Sequence, residues 1–161
     1  MSAPLHIVTL CHPTLGGSGV LATELALGLG RRGHQVHMLA TGHPFRLPKD
    51  PPGVTLHTAA SPSHPLFETR DDSLTLAAAL ISLCRDHPVD VIHGHYALPH
   101  GPGIMLARRA LGPDAPPWAL TLHGTFSVKG LISLSSSCRH THEPNQTSSP
   151  LPLPPLSPPS A

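Results

Sequence analysis

The sequence predicts an α/β domain built on a parallel, Rossmann-like sheet. Three observations carry that prediction. Short apolar runs alternate with longer segments of helical period from Leu5 to about Thr125, as βαβ units require. The first apolar run ends in a glycine-rich turn, Gly16-Gly17-Ser18-Gly19, that leads straight into an amphipathic segment. And 161 residues suit one domain large enough to bury a sizeable core.

In chain order, Leu5 to Cys11 reads as the first strand. Val20 to Arg32 reads as a helix with apolar residues at Leu21, Leu25, Leu27 and Leu29, and Gly33 is placed to stop it. Gln35 to Ala40 is the second strand and Gly53 to Thr58 a short third. Asp72 to His87 forms a helix with Leu76, Leu80 and Leu83 on one side, and Asp72 or Ser73 fits its N-cap. Val89 to His93 is a further buried strand, followed by a helix over His100 to Leu111. Trp118 to Leu122 is the last strand, running into His123-Gly124-Thr125.

Beyond Gly130 the character changes. The domain is expected to span residues 1–130. Residues 131–161 form a tail rich in Ser, Thr, Pro and Leu that cannot bury enough surface to offset its ordering entropy, and disorder is expected from about residue 135. The tail contains Pro152-Leu153-Pro154-Pro155, a polyproline-type segment that a partner domain could read, although a solvated tail without a partner is the simpler reading.

Composition narrows the partners. Charged residues make up 12% and the formal net charge is +1, so nothing draws the chain electrostatically to nucleic acid or to an anionic membrane. Small molecules are the expected ligands. Cys11, Cys84 and Cys138 share no C-x-x-C spacing, and their odd number gives no disulfide framework, which suits a reducing cytoplasm. No leader-like segment opens the chain, and no run reaches the roughly 18 apolar residues of a membrane span.

Two features carry candidate chemistry. A helix N-terminus leaves backbone N–H groups unpaired, and glycines let a phosphate approach them, so the turn at Gly16 to Gly19 is a place to hold a phosphate. Its spacing is neither G-x-G-x-x-G nor G-x-x-x-x-G-K-[ST], which removes support for nicotinamide and ATP and leaves a nucleotide sugar open. A tight turn that serves packing alone is equally open. The second feature is the 14 histidines. His93 and His95 share a strand face and His100 follows, yet no acidic or cysteine ligand stands beside them. Polar substrate contacts or packing are the expected roles of these side chains; metal binding through the histidines ranks behind them, and no metal is assigned.

Five segments then carry a resemblance. They are Pro13 to Leu25 across the glycine turn, Arg32 to His37, Gly42 to Leu47, His95-Tyr96-Ala97-Leu98-Pro99-His100, and Thr121-Leu122-His123-Gly124-Thr125. Taken in this order, the chain resembles the N-terminal half of a family 4 retaining glycosyltransferase of the GT-B type. Within the family it is most similar to members acting in bacillithiol biosynthesis, which transfer N-acetylglucosamine from UDP-N-acetylglucosamine to L-malate. The resemblance implies an active site in the cleft between two Rossmann-like halves, with the acceptor on this half. It implies that Gly16 and Gly17 lie against the donor diphosphate and that Ser18, Tyr96 and Thr125 line the pocket of a small acidic acceptor. It places His123 near the donor sugar as the catalytic residue, and it implies neither a metal nor a cofactor. Phe126 stands where the family normally has an acidic residue. The basic and glutamate residues that hold the nucleotide belong, by the same resemblance, to a C-terminal half with no counterpart in this sequence. The abrupt change of character is expected to mark a frameshift, truncation or altered gene end, with activity dependent on a separately encoded half. The competing expectation is a non-catalytic Rossmann-like binding protein with a proline-rich tail.

Overall fold

The computed structural model describes residues 3–60 and 72–123, all within the compact unit Met1–Thr125. Gly124, Thr125, Cys138 and the Ser/Pro-rich tail lie outside the described residues. The elements are β1 (His6–Leu10), α1 (Gly17–Arg31), β2 (Gln35–Ala40), β3 (Val54–Thr58), α2 (Asp72–Asp86), β4 (Val91–His95), α3 (His100–Leu111) and β5 (Trp118–Thr121), with a short 3-10 turn at Gly112–Asp114. The strands form one parallel sheet in the order β3-β2-β1-β4-β5, the expected Rossmann-like arrangement.

That order explains the sequence pattern. Helices cover both faces, so β1 and β2 read as nearly unbroken apolar runs rather than alternating ones. One face carries α1, which packs with Val36, Met38 and Ala40 of β2 and with Cys11. The other carries α2 and α3, whose Leu76, Leu80, Leu83 and Ile104 pack with Val8, Leu10, Leu39 and Ile92. The chain lays β1, β2 and β3 outward, then returns to place β4 on the other side of β1. In open α/β sheets such a reversal opens a crevice beyond the strand C-termini, here between β1 and β4.

The helix stop at Gly33 is as expected. Its φ is +92°, its N–H donates to the Gly30 carbonyl at 3.0 Å, and that of His34 donates to Leu29 at 3.2 Å. This is a Schellman closure, which needs a left-handed residue at that point.

Three details differ from the sequence reading. Helix α1 starts at Gly17, so the glycine turn is largely its first turn. Its buried face is Gly19, Ala22, Thr23, Ala26, Leu27 and Gly30, a helical stripe of mostly small residues that brings the axis close to the sheet. Leu21 and Leu25, expected on the apolar face, are 51% and 38% exposed. Strand β4 runs two residues later than expected. Asp90 anchors its start, accepting from the His6 N–H at 2.7 Å through Oδ2 and donating its own N–H to the His6 carbonyl at 2.9 Å. The strand continues through Gly94, whose missing side chain makes room for Ile104 and Leu120, and ends paired at His95 with Thr121. Finally, Asp72 is already helical, so it opens α2 as a first-turn acid. Among the described residues no helix is long and apolar enough to cross a membrane.

Candidate functional site

The site is assembled from residues that follow strand C-termini. His12 comes after β1, Tyr96 after β4 and His123 after β5. With the N-terminus of α1 they surround a cavity of about 760 Å³. Five of the six residues proposed from sequence, Gly16, Gly17, Ser18, Tyr96 and His123, line this one cavity, and His12, Thr14 and Leu21 complete its wall. The sixth, Thr125, lies outside the described residues.

The wall at α1 is made of backbone. Gly16 caps the helix in an extended conformation without any side-chain hydrogen bond, and the first turn carries no acidic residue. Its carbonyl accepts from Gly19 at 3.1 Å and from Val20 at 3.2 Å, which leaves the amides of Gly17 and Ser18 as the outward pair of the helix terminus. Gly19 fixes where this terminus sits. A Cβ there would stand 2.5 Å from the His12 carbonyl and 2.9 Å from that of Thr14, so only glycine lets the strand end fold over the helix. At Gly17 a Cβ would meet nothing within 4 Å. Its missing side chain serves the open space, not the packing.

The opposite wall is held under tension. Tyr96 has φ of 85°, a conformation rare for a bulky residue, and its N–H donates to the Thr121 carbonyl at 2.8 Å. Its ring meets that of His12 edge-on, with centroids 5.3 Å apart. His12 in turn donates from Nε2 to the Leu98 carbonyl at 3.1 Å, because a carbonyl can only accept.

Beneath the cavity lies a histidine layer kept neutral by its surroundings. Burial, then His93, His123 and His100, pushes His95 down to about 3. Burial, then His12, pushes His100 down to about 4, against the pull of hydrogen bonds with the backbone of His95, Tyr96 and Cys11. His93 is lowered by burial and by His123, and its Nε2 pairs with Thr121 Oγ1 at 2.8 Å. His95 Nδ1 lies 3.2 Å from His123 Nε2, while His95 Nε2 is buried without a partner among the described residues. The two rings share one hydrogen bond, in which one nitrogen donates and the other accepts. The His93 and His95 rings lie 4.2 Å apart between centroids, and among the described residues these two and His100 do not form a group at metal-ligand spacing.

His12, Thr14 and Leu21 were not singled out from sequence. Thr14 and Leu21 lie inside the glycine-turn segment, but only the sheet order shows that His12 stands across from Tyr96. Cys11, just below, is inert: burial raises its thiol to about 12.

Comparison with known proteins identifies the family and the fold. The chain matches the model of Glycosyltransferase Family 4 over residues 15–150. It is 36% identical over 121 residues to N-acetyl-alpha-D-glucosaminyl L-malate synthase of Bacillus anthracis, a match covering 75% of this chain and 32% of that protein. The chain therefore spans about a third of that relative's length. Among solved structures, a glycosyltransferase from Rickettsia africae aligns with a TM-score of 0.58 at 16% identity, over 86% of this chain and 35% of that one. MurG of Acinetobacter baumannii aligns with a TM-score of 0.54 at 19% identity, over 84% and 40%. At these identities the two structures show a shared fold.

Proposed function

The chain belongs to glycosyltransferase family 4, and from that premise we propose that it forms the acceptor-side wall of a retaining transfer site moving N-acetylglucosamine from UDP-N-acetylglucosamine to L-malate. The observation that carries this reading is the meeting of Gly16, Gly17, Ser18, Tyr96 and His123 around one cavity at the strand C-termini. The relative from Bacillus anthracis, named for L-malate and the glucosaminyl group, supplies the choice of substrates.

Each residue has a physical task. The amides of Gly17 and Ser18 offer the positive end of α1 to the donor diphosphate, and the bare Cα of Gly17 permits close approach. The hydroxyls of Ser18, Tyr96 and Thr125 donate to the malate carboxylates, charge-assisted bonds that orient the attacking hydroxyl. His123, oriented by its hydrogen bond with His95, hydrogen-bonds the donor sugar and steadies it as the bond to the diphosphate stretches. In a retaining transfer of this kind the departing phosphate helps deprotonate the incoming hydroxyl on the same face, so this wall contributes positioning and charge stabilisation. No metal or cofactor is assigned to the step. On this reading the groups that grip the nucleotide lie on the opposite half of the site, so residues 1–161 by themselves are expected to bind without turning over.

Calorimetric titration with L-malate and with UDP-N-acetylglucosamine, alongside an assay of UDP release, tests the proposal. Heat with L-malate and no UDP above background is the expected result. The absence of heat with either compound would overturn it and favour a non-catalytic interaction domain.

A further inference from the structure

Three histidines far apart in the sequence meet beside the α2–α3 face of the sheet. His37 lies in β2, His57 in β3, and His87 directly follows α2. One ring nitrogen from each lies within 4.8 Å of the other two. His37 Nδ1 and His57 Nε2 are 3.0 Å apart, and the His37 and His87 rings are 4.4 Å apart between centroids. His37 is buried, while His57 and His87 are half-buried. None of the three lines the cavity described above.

We propose that His37, His57 and His87 form a three-imidazole site for a divalent transition metal, with zinc the ion of choice. At a Zn–N distance of about 2.0–2.1 Å, tetrahedral ligands stand about 3.3 Å from one another. The His37–His57 pair is near that spacing already. With all separations within 4.8 Å, closure needs at most about 1.5 Å, through rotation of the half-buried His57 and His87. An all-imidazole set without carboxylates suits zinc, nickel or copper and disfavours magnesium or calcium. Water would fill the fourth position.

The protonation state agrees with the geometry. Burial, then His87, His57 and His6, pushes His37 down to about 4, and burial and His87 lower His57 as well. His37 and His57 are therefore neutral near pH 7, the form in which imidazole ligates. The neighbouring His6 ring stacks on His37 at 6.3 Å between centroids, and its Nδ1 is buried without a partner among the described residues. One proton bridges the His37–His57 nitrogens. A bound ion takes its place, and that proton moves to the other nitrogen of the same ring.

Such an ion would clip the edge strand β3 to β2 and to the end of α2. The proposal is independent of the transfer reaction, and its failure would leave that reading untouched.

The test is metal analysis of the full chain after loading with Zn²⁺ and dialysis, with Co²⁺ substitution to report geometry. Expected are one retained Zn²⁺ per chain, visible absorption of tetrahedral Co²⁺, and shifted ring resonances of His57 and His87 in the unmodified chain. His57→Gln and His87→Gln should each weaken binding on the order of a hundredfold, since even outer-shell losses reach that size. His43→Gln and His93→Asn should retain it. No retained ion, unmoved His57 and His87 resonances, or loss in His93→Asn instead would overturn the proposal.

Discussion

Gly19→Ala and Gly17→Ala separate the glycine that builds the turn from the glycine that serves the ligand. At Gly19 the added methyl would stand 2.5 Å from one backbone carbonyl and 2.9 Å from another, and neither can rotate away. The turn at residues 12–14 must lift off α1, an overpacking cost of about 1–3 kcal/mol. Replacing glycine inside a helix returns up to about 1 kcal/mol. The net loss of about 1–2 kcal/mol lowers Tm by roughly 4–8 °C in a domain of this size. At Gly17 nothing meets the methyl, so only the helix gain remains and Tm holds or rises slightly. That methyl nevertheless projects into the space proposed for the diphosphate. In a reconstituted two-half enzyme Gly17→Ala should therefore cost donor affinity without costing stability. Thermal melts of both variants with donor titrations decide the matter. An unchanged Tm for Gly19→Ala would refute the packing argument, and unchanged donor affinity for a stable Gly17→Ala would refute the ligand argument.

Acid sensitivity follows from the buried histidines. His95 and His100 ionise near 6.5 when unfolded but only near 3 and 4 when folded, so their contribution is complete above about pH 6.5 and is lost as pH falls toward those lower values. Going down to pH 5 removes about 2 kcal/mol for each, and urea midpoints that do not fall between about pH 7.5 and 5 would contradict the assignment. Ser18→Ala removes a proposed donor to an acceptor carboxylate. It should weaken L-malate binding roughly tenfold or more, the worth of a hydrogen bond to a charged group, while circular dichroism and Tm stay level. Cys11, buried and held far from its thiolate form, should resist alkylation of the native chain and react only on unfolding, as peptide mapping with iodoacetamide would report.

How far the sequence could be read depended on whether a signal was local. β2 and α3 lie where their periodicity and flanking turns put them, and Gly33 closes α1 by a bond pattern that local sequence encodes. The misreadings share one cause. Leu21 and Leu25 were weighted for size, whereas α1 packs through Gly19, Ala22, Ala26 and Gly30 because close approach to the sheet demanded small residues. The strand expected to end at His93 continues through Gly94, the position that Ile104 and Leu120 overlie. The glycine turn announces its own part of the cavity, since Gly16, Gly17 and Ser18 are contiguous. Tyr96 and His123 were reachable only through resemblance, because sheet order, not spacing, brings the ends of β4 and β5 beside β1. The cluster of His37, His57 and His87 left no trace in the sequence, being set by the register of β3 on β2 and by where α2 ends.

The rim of the cavity bears on what faces it. Leu15, beside Gly16, is 71% exposed; Leu21 lines the wall; Leu98 and Leu122, near Tyr96 and His123, are also exposed. Single exposed leucines are ordinary on a protein surface. Here four of them flank the segments that line one cavity, whereas those segments bring no acidic side chain into its wall. Under the proposed function such a border would help exclude water while the sugar is transferred, because screening by solvent would weaken the amides of α1 and the bond from His123. On that proposal the apolar rim, the outward amides of Gly17 and Ser18 and the neutral histidine layer serve one requirement, low solvent screening where the sugar is transferred.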